Sequence, residues 1–551
     1  MVRRACNTAG GSMSTTHQAD VVIAGGGLAG LAAAHELIDR GLRVLVLDRD
    51  LEERLGGLAK RSFGGVMFVD TPHQRKLGID DSPELAFSDW LSFADFGAND
   101  EWPKLWSRTY VERSTELIFD WLTGHGVKFL PLVNWAERGL FRPGNSVPRW
   151  HIAWGTGHAI VDTVVAALDG HNHRDRLEMR FGHRVERLLI EAGRVVGCVG
   201  VTEDDGAGFE VRTDHVVLAS GGICGGDLSK VRANWYAPWG RPPRTLLNGS
   251  HRFADGLLHD EAASHGAALT HLDKQWHYAA GVHQRDGDSS LDGISLVPPR
   301  SALWLDASGR RFGPVPLMGY SDTRWVVEQI CRSPAQYSWQ VLNWKIAIKE
   351  LAVSGCDYMT AFRNKRKVEL VKQVLFGNKK LVNRLIDECE DFVVADTLPE
   401  LMDRMESMSL DGATIDREGM AADIAAFDAQ IARGPRYFND DQLRRIAASR
   451  TYKADRLRIC AFQTIDDPKA RPLIAIREFV LSRKSLGGLQ TDLSSRVLDR
   501  SGEPIPGLYA IGETAGFGGG GIHGKGSLEG TFLGSCVLTG RLAARAIADG
   551  P

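Results

Sequence analysis

The amino-acid sequence predicts an α/β fold with two parts: a doubly wound domain of parallel strands, made from both chain ends, and a helix-rich α+β domain inserted between them. Three observations predict it. Residues 20–47 have the pattern of a strand–helix–strand unit, glycines concentrate toward both chain ends, and the glycine-poor middle has helical periodicity. A chain of 551 residues is also too long for one compact module.

The elements of the doubly wound part follow from local patterns. Short apolar runs at residues 20–24 and 43–47 predict two strands that flank the helix pattern AGLAAAHELIDRG. Further strands are predicted within residues 183–201, 209–219 and 507–513, and a final helix is predicted at residues 533–548. Both chain ends therefore supply strands and helices to the same domain.

The middle of the chain has a different character. Only five glycines lie between Thr323 and Cys460, and apolar residues there recur at three- and four-residue spacing. A helix is predicted to begin within residues 396–400, since Pro399 suits the first turn of a helix. This region is expected to form the inserted domain.

Composition excludes several classes of protein. The chain has 66 Lys+Arg and 69 Asp+Glu, so it lacks the basic excess of a nucleic-acid binder. No apolar run approaches the roughly 18–20 residues that span a bilayer, so no transmembrane segment is predicted. Eight scattered cysteines predict neither a disulfide framework nor a metal site, and they favour a cytoplasmic location. Residues 1–18 are predicted to be a disordered leader.

The most informative motif follows the first predicted strand. Gly25, Gly27 and Gly30 form a G-x-G-x-x-G turn that opens a helix, the arrangement in which a Rossmann-type fold binds a dinucleotide. Leu28 and Ala29 begin that helix, whose free N–H groups suit a pyrophosphate. Asp48 ends the second strand and is placed to accept a hydrogen bond from a ribose hydroxyl.

Three further segments favour FAD over NAD. Small residues that supply backbone donors follow Asp48, namely Gly56, Gly57, Ser62, Gly64 and Gly65. Ala219 and Gly221 end another apolar strand, where the backbone is expected to approach the cofactor again. Gly512 and Glu513 end a strand near the C-terminus, and the Glu513 carboxylate suits the ribityl hydroxyls that FAD has and NAD lacks. Predicted FAD contacts also include Val185, Ser527 and Leu528.

The chain resembles the FAD-dependent flavoproteins of the fumarate reductase and 3-ketosteroid dehydrogenase superfamily. The resemblance covers residues 19–549, and its collinear motifs include GGGLAG at 25–30, VVLASGG at 216–222, DASGRRF at 306–312 and IPGLYAIGE at 505–513. It implies an FAD-binding domain of residues 19–270 and 479–551, with a cap or substrate domain at 271–478. Substrate would lie between cap and flavin, and a hydride would pass to or from flavin N5.

The flavin is predicted to be bound non-covalently. Some members of this superfamily carry a histidine just before the alanine- and glycine-rich turn, and that histidine bonds to the flavin. The corresponding stretch here is Lys60-Arg61-Ser62-Phe63, which has no histidine.

The substrate residues favour the 3-ketosteroid dehydrogenase branch. The His-Thr pair that anchors dicarboxylates in fumarate reductases is Lys484-Ser485 here, and their arginine before the RLGGN-like turn matches Ser527. In the ketosteroid branch, a tyrosine soon after the GRRF segment is the base, which points to Tyr320. The resemblance also implies that the Gly530 N–H holds the substrate carbonyl.

The second carbonyl-binding tyrosine of that branch has no counterpart, because its position falls near Gly526. We expect His523 or Lys525 to donate to the carbonyl oxygen instead, with His523 favoured. The predicted reaction is desaturation of a CH–CH bond beside a ketone in a hydrophobic, steroid-like substrate. An external electron acceptor is required, since no second cofactor motif occurs.

Two alternatives remain open at this point. Reduction of an activated C=C bond, as in fumarate reductases, is favoured if Arg324 and Arg477 converge over the flavin. A flavin-binding protein without turnover is favoured if Tyr320 points away from the flavin.

Replacing Tyr320 by Phe is expected to lower turnover about 10²-fold or more, because a base in proton abstraction contributes that much. The measurement is steady-state turnover with a ketosteroid substrate at matched flavin content. Activity within about twofold of the wild type would contradict the assignment.

Overall fold

The computed structural model describes residues 16–284, 292–319 and 321–550. Tyr320 and residues 1–15 of the predicted leader lie outside the described residues. Thr16–Gln18, which were expected to be disordered, instead form a strand that pairs parallel to Glu210–Arg212. The backbone groups at the edge of that neighbouring strand provide the partners that a disordered segment would lack.

A six-stranded sheet forms the centre of the doubly wound domain and confirms the predicted fold class. Five of its strands are mutually parallel, and the sixth pairs antiparallel at one edge. In spatial order they are Arg496–Leu498, Pro504–Ala510, His215–Leu218, Val21–Ala24, Val44–Leu47 and Leu177–Arg180. Strands from both chain ends are thus neighbours, and the adjacent strands VVIA and VLVL are buried on both faces as parallel strands require.

Helices cover this sheet. Leu28–Asp39 packs against Thr531–Asp549, and a Cβ atom at Gly540 would lie 2.5 Å from the Ala29 carbonyl oxygen, so the two helices touch through small residues. The domain also contains the helices Gly57–Arg61, Pro72–Lys76, Pro83–Ala94, Glu101–Arg113, Asp120–Gly124, Thr156–Asp169, Ser229–Ala233 and Leu257–Ser264. A four-stranded sheet packs beside it, with strands Thr16–Gln18, Gly208–Arg212, Arg194–Thr202 and His183–Glu191.

The second large sheet has eight strands and is mostly antiparallel. Its long central strand, Leu473–Ser485, is buried over most of its length and crosses the domain boundary predicted at residues 478 and 479. The remaining strands are Leu247–Asn248, Gln275–His283, Gly293–Val297, Leu303–Asp306, Tyr337–Asn343, Ala352–Val353 and Phe392–Ala395. Two short pairs complete the strands: Gly65–Met67 with Trp150–Ile152, and Leu269–Thr270 with Gly488–Leu489.

The helices of the glycine-poor middle surround the second sheet. They are Thr323–Arg332, Trp344–Glu350, Thr360–Arg363, Lys367–Phe376, Lys379–Glu388, Leu398–Ser407, Arg417–Arg433, Asp441–Ser449 and Lys453–Arg458. The helix start predicted within residues 396–400 is confirmed: the helix begins at Leu398, and the Thr397 hydroxyl accepts a hydrogen bond of 3.3 Å from the Glu400 N–H. That hydrogen bond satisfies one of the free donors of the first turn.

A buried ion cluster holds the chain before Trp150, an aromatic residue of the site described below. The Arg149 guanidinium bonds to Asp81 at 2.7 Å and to Asp89 at 2.5 Å, and its side chain is fully buried. Charges removed from water in this way require such paired, bidentate geometry. The cluster therefore fixes where the strand Trp150–Ile152 begins.

Two further observations concern the whole of the described chain. Among the described residues, no helix combines the length and the apolar character that crossing a bilayer requires. The seven cysteines within that part are all free thiols.

Candidate active site

The glycine turn after the first strand is shaped by close contact between backbone segments. A Cβ atom at Gly25 would lie 2.3 Å from the Ala219 carbonyl oxygen, and one at Gly30 would lie 2.1 Å from the Gly25 carbonyl oxygen. Gly27 is different, because a Cβ atom there would have no protein atom within 4 Å. The turn thus presses strand and helix together and leaves open space beside Gly27, where a pyrophosphate is predicted.

A cleft of about 160 Å³ runs along this turn. Twelve of the predicted FAD-contact residues line it: Gly25, Gly27, Leu28, Ala29, Asp48, Gly56, Gly57, Val185, Ala219, Gly221, Gly512 and Glu513. They come from the carboxyl ends of the parallel strands and the loops that follow, which is where α/β sheets bind ligands. Gly30 does not line the cleft, since it packs beneath the turn.

Asp48 is held rigidly at the edge of this cleft. Its carboxylate accepts hydrogen bonds from the Gly26 N–H at 2.6 Å and from the Asp50 N–H at 2.7 Å. Burial raises the pKa of Asp48, which these two donors partly offset. A carboxylate has about four acceptor positions, so it retains capacity for a ribose hydroxyl.

A larger cavity of about 480 Å³ adjoins the cleft and is lined mainly by apolar side chains. Leu58, Ala59, Glu513 and Cys536 line both spaces. Ser62, Gly64 and Gly65 line the larger cavity from the side of the doubly wound domain, and residues of the second sheet line it from the other side. A ligand that extends from the cleft therefore enters the space between the two sheets.

Glu513 stands where the two spaces meet. Its Oε1 atom accepts hydrogen bonds from the Ser485 N–H at 2.8 Å and the Ser485 hydroxyl at 3.2 Å. Burial raises the pKa of Glu513, while the nearby positive charge of Lys484 acts in the opposite direction. The cleft, its open side at Gly27 and the two anchored acids fit the adenosine, pyrophosphate and ribityl parts of FAD.

Gly530 lines the larger cavity at the start of the 19-residue helix Thr531–Asp549. Its φ angle is +97°, a Cβ atom there would lie 2.6 Å from Trp150 Cδ1, and its carbonyl accepts a hydrogen bond of 2.8 Å from the Met67 N–H. Only glycine fits this position without strain. The N-terminus of this helix, with its partial positive charge, thus lies at the wall of the cavity.

A polar cluster that the sequence did not predict lines the larger cavity together with Gly530. The Tyr278 hydroxyl donates to Glu529 Oε1 at 2.8 Å and accepts from Lys484 Nζ at 3.1 Å. All three side chains line the larger cavity. Burial lowers the pKa of Lys484 to about 8, so the amine is mostly protonated at neutral pH and less firmly so than an exposed lysine.

Strand register brings this cluster together. Tyr278 and Lys484 lie on neighbouring antiparallel strands, and the pairing shifts between Trp276 and His277. Such an irregularity re-aims the side chains that follow it. Glu529 arrives from the distant C-terminal segment, where it occupies a glycine position of the RLGGN-like turn. This glutamate in place of a glycine is the one feature of the sequence that could have pointed to the polar cluster.

His523 lies in a different environment from the one expected of a carbonyl donor. It is fully buried, does not line the larger cavity, stacks on Trp90 with ring centroids 5.6 Å apart, and shares a hydrogen bond of 2.7 Å between Nε2 and the Thr531 hydroxyl. Burial lowers the pKa of His523 well below its usual range. Ser527 and Leu528 are likewise buried behind the helix N-terminus rather than along either space.

The two arginines considered for carboxylate binding do not converge. Arg477 forms a buried ion pair of 2.8 Å with Asp391, and Arg324 stacks over the rings of Tyr236 and Trp239. Neither guanidinium lines the cavity in the described part of the chain. The structure also brings ligand atoms of His283, Glu390 and Asp391 within 4.8 Å of one another, but Asp391 is already bonded to Arg477 and His283.

The fold and the cleft define a dinucleotide-binding flavoprotein. A sequence profile described as the FAD binding domain matches residues 20–533. The chain is 44% identical over 552 residues to a KsdD-like steroid dehydrogenase of Mycobacterium tuberculosis, and the alignment covers 96% of each chain. The chain therefore belongs to this FAD-binding family of oxidoreductases, and within it to the KsdD-like steroid dehydrogenases.

Solved structures share the fold. The 3-ketosteroid Δ1-dehydrogenase from Sterolibacterium denitrificans superposes with a TM-score of 0.70 at 17% identity, covering 97% of this chain and 100% of that chain. A flavocytochrome c3 fumarate reductase gives 0.67 at 21% identity, covering 98% and 79%. Dehydrogenases and reductases thus share this architecture, so the fold by itself does not determine the reaction.

Gly27→Val is expected to abolish flavin retention while leaving the fold intact, because the new side chain would fill the open space beside the turn and meet no protein atom. The measurement is visible flavin absorbance relative to protein after purification. Gly208→Val is the matched control, since that glycine also has no atom within 4 Å of its Cβ position and lies in a strand outside the cleft. Equal flavin content in the two variants would contradict the assignment.

Proposed function

We propose that this protein removes hydrogen from a CH–CH bond beside a ketone in a steroid-like substrate and passes the electrons to an external acceptor. The observation that carries the proposal is the mainly apolar cavity of about 480 Å³, whose polar groups Gly530, Tyr278 and Lys484 gather beside the FAD cleft. A rigid apolar ligand with one carbonyl suits such a cavity. The steroid dehydrogenase names of the relatives support the same substrate class.

The carbonyl oxygen is the group that the site must bind most tightly. Loss of a proton beside a ketone leaves negative charge on that oxygen, and donors aimed at it lower the barrier. The Gly530 N–H supplies one donor at a helix N-terminus. Tyr278 supplies the other when its single hydroxyl proton turns from Glu529 to the substrate oxygen, while Lys484 continues to donate to the Tyr278 oxygen. Tyr278 thereby takes the place of the second tyrosine that has no counterpart near Gly526.

The remaining steps are divided between a base and the cofactor. Tyr320 remains the predicted base, because a tyrosine at this position takes the proton in the 3-ketosteroid dehydrogenase branch that the chain resembles. FAD, when bound, supplies the hydride acceptor. Gly27, Asp48 and Glu513 would hold it non-covalently, as the absence of a histidine in the Lys60–Phe63 stretch implies.

Charge balance in the cavity favours a neutral ketone over a dicarboxylate. The two cations at the polar end of the cavity, Arg483 and Lys484, both lie in the electrostatic field of Glu513 and Glu529. Arg483 also donates to the Gly249 carbonyl. A dianion at this end of the cavity would add two negative charges to a region whose two cations already face two acids, so fumarate-type reduction fits less well. The orientation of Tyr320, on which the alternative without turnover depends, lies outside the described residues.

Anaerobic addition of 4-androstene-3,17-dione to the flavin-loaded protein is expected to bleach the visible flavin band. The reason is that a ketosteroid with a removable hydrogen pair reduces the flavin in a single turnover. A saturated 3-ketosteroid without the C4–C5 double bond is tested in parallel, to distinguish where the new double bond forms. If neither steroid bleaches a clearly flavin-loaded protein, the proposed substrate class is wrong.

Tyr278→Phe is expected to slow this flavin reduction about 10²-fold, the usual cost of one lost oxyanion donor. Trp276→Phe is the matched control, because Trp276 Nε1 also donates to Glu529 Oε1, at 3.0 Å, but its ring does not line the cavity. His523→Gln provides the comparison with the donor expected from the sequence. A larger rate loss in the His523 variant than in the Tyr278 variant would reverse the assignment.

A further inference from the structure

The helix Lys367–Phe376 differs from its neighbours because none of its residues is buried. Its apolar side chains point into solvent: Val368 is 72% exposed, Val371 56%, Leu375 67% and Phe376 71%. Isolated exposed apolar residues are ordinary, but a continuous group of this size on one short helix marks an interaction surface.

Basic residues surround this apolar surface. Residues 363–380 contain seven Lys or Arg and a single acidic residue, in a chain whose net charge is −3. Lys367 and Lys372 lie on the helix itself, and Lys379 and Lys380 begin the next helix, all exposed. An exposed apolar strip between cations is the pattern of a helix that lies in the interface of an anionic membrane.

The helix also lies at the mouth of the substrate cavity. Leu370, Gln373 and Val374 line the larger cavity, and Val374 is itself 38% exposed. Leu457 also lines the cavity and is 41% exposed. Gly530 and Lys484 lie at the buried, polar end, so the cavity runs from the exposed helix toward the FAD cleft.

We propose that the surface formed by Lys367–Phe376 and its flanking lysines docks on an anionic lipid bilayer and opens the cavity toward the lipid. Leu375 and Phe376 would enter the acyl boundary while the lysines contact phosphate groups. Docking as such does not depend on the substrate. Delivery of a lipid-dissolved steroid through the mouth rests on the proposed function.

Co-sedimentation of the flavin-loaded protein with vesicles tests the docking without any substrate. We expect binding to vesicles of phosphatidylcholine with phosphatidylglycerol, and at least about tenfold weaker binding to phosphatidylcholine alone or at high salt, because the lysines recognise negative charge. Absence of binding to the anionic vesicles would overturn the proposal.

Two double variants separate the apolar and the charged contributions. Val371→Asp with Leu375→Asp, and Lys379→Glu with Lys380→Glu, are each expected to weaken vesicle binding about tenfold or more. These side chains are exposed and do not line the cavity, so flavin content should stay unchanged. Leu105→Asp is the control, since Leu105 is 39% exposed on another helix, Glu101–Arg113, and does not line the cavity.

The outcomes are distinct. Vesicle binding that persists in both double variants would overturn the proposal. So would concentration-dependent dimerisation that the double variants abolish, in a protein that binds no vesicles, because the surface would then pair two copies of the chain. Failure of steroid turnover with intact vesicle binding would contradict the proposed function only.

Discussion

Contact between backbone segments at the carboxyl end of the parallel sheet is the constraint on which the rest of the structure depends. Positions with no room for a Cβ atom join three distant parts of the chain: Gly25 meets the Ala219 carbonyl, Gly222 meets Glu513, and Gly512 meets Ala29. Because these contacts leave the Gly27 side open, they shape the cleft in which a dinucleotide would lie. The acids Asp48 and Glu513 are then held by neighbouring N–H groups rather than by charge pairs.

The polar groups of the candidate active site lie where the second sheet meets the doubly wound domain. Its longest strand, Leu473–Ser485, carries Lys484 toward the cavity and places the Ser485 N–H on Glu513. One strand therefore connects the group beside the substrate with the group beside the cofactor. The cluster of Lys484, Tyr278 and Glu529 is kept close to electrical neutrality, which suits a ketone that acquires charge only during the reaction.

The helix Lys367–Phe376 exposes its apolar side chains to solvent, whereas other helices bury theirs. Elsewhere in the inserted domain, apolar faces pack onto the second sheet, as Leu381, Val382 and Leu385 do from the next helix. Apolar side chains that stay in contact with water, as they do on this helix, do not contribute to the stability of the fold unless another surface covers them. The position of the helix at the cavity mouth links this exposure to the proposed entry of a steroid-like substrate from a bilayer.

Local patterns in the sequence determined the parallel strands, the G-x-G-x-x-G turn, the acid after the second strand and the helix that begins at Leu398, because each depends on residues close to one another in the chain. Tertiary structure alone decided that Tyr278, Lys484 and Glu529 meet, that His523 packs against Trp90, and that Arg324 and Arg477 stay apart. These outcomes depend on strand register, on one irregularity at Trp276 and His277, and on the packing of segments some 250 residues apart, such as Tyr278 and Glu529. The pattern of apolar residues within one segment cannot predict which distant segments come into contact. Those contacts are determined only when the segments pack together and bury their apolar surface.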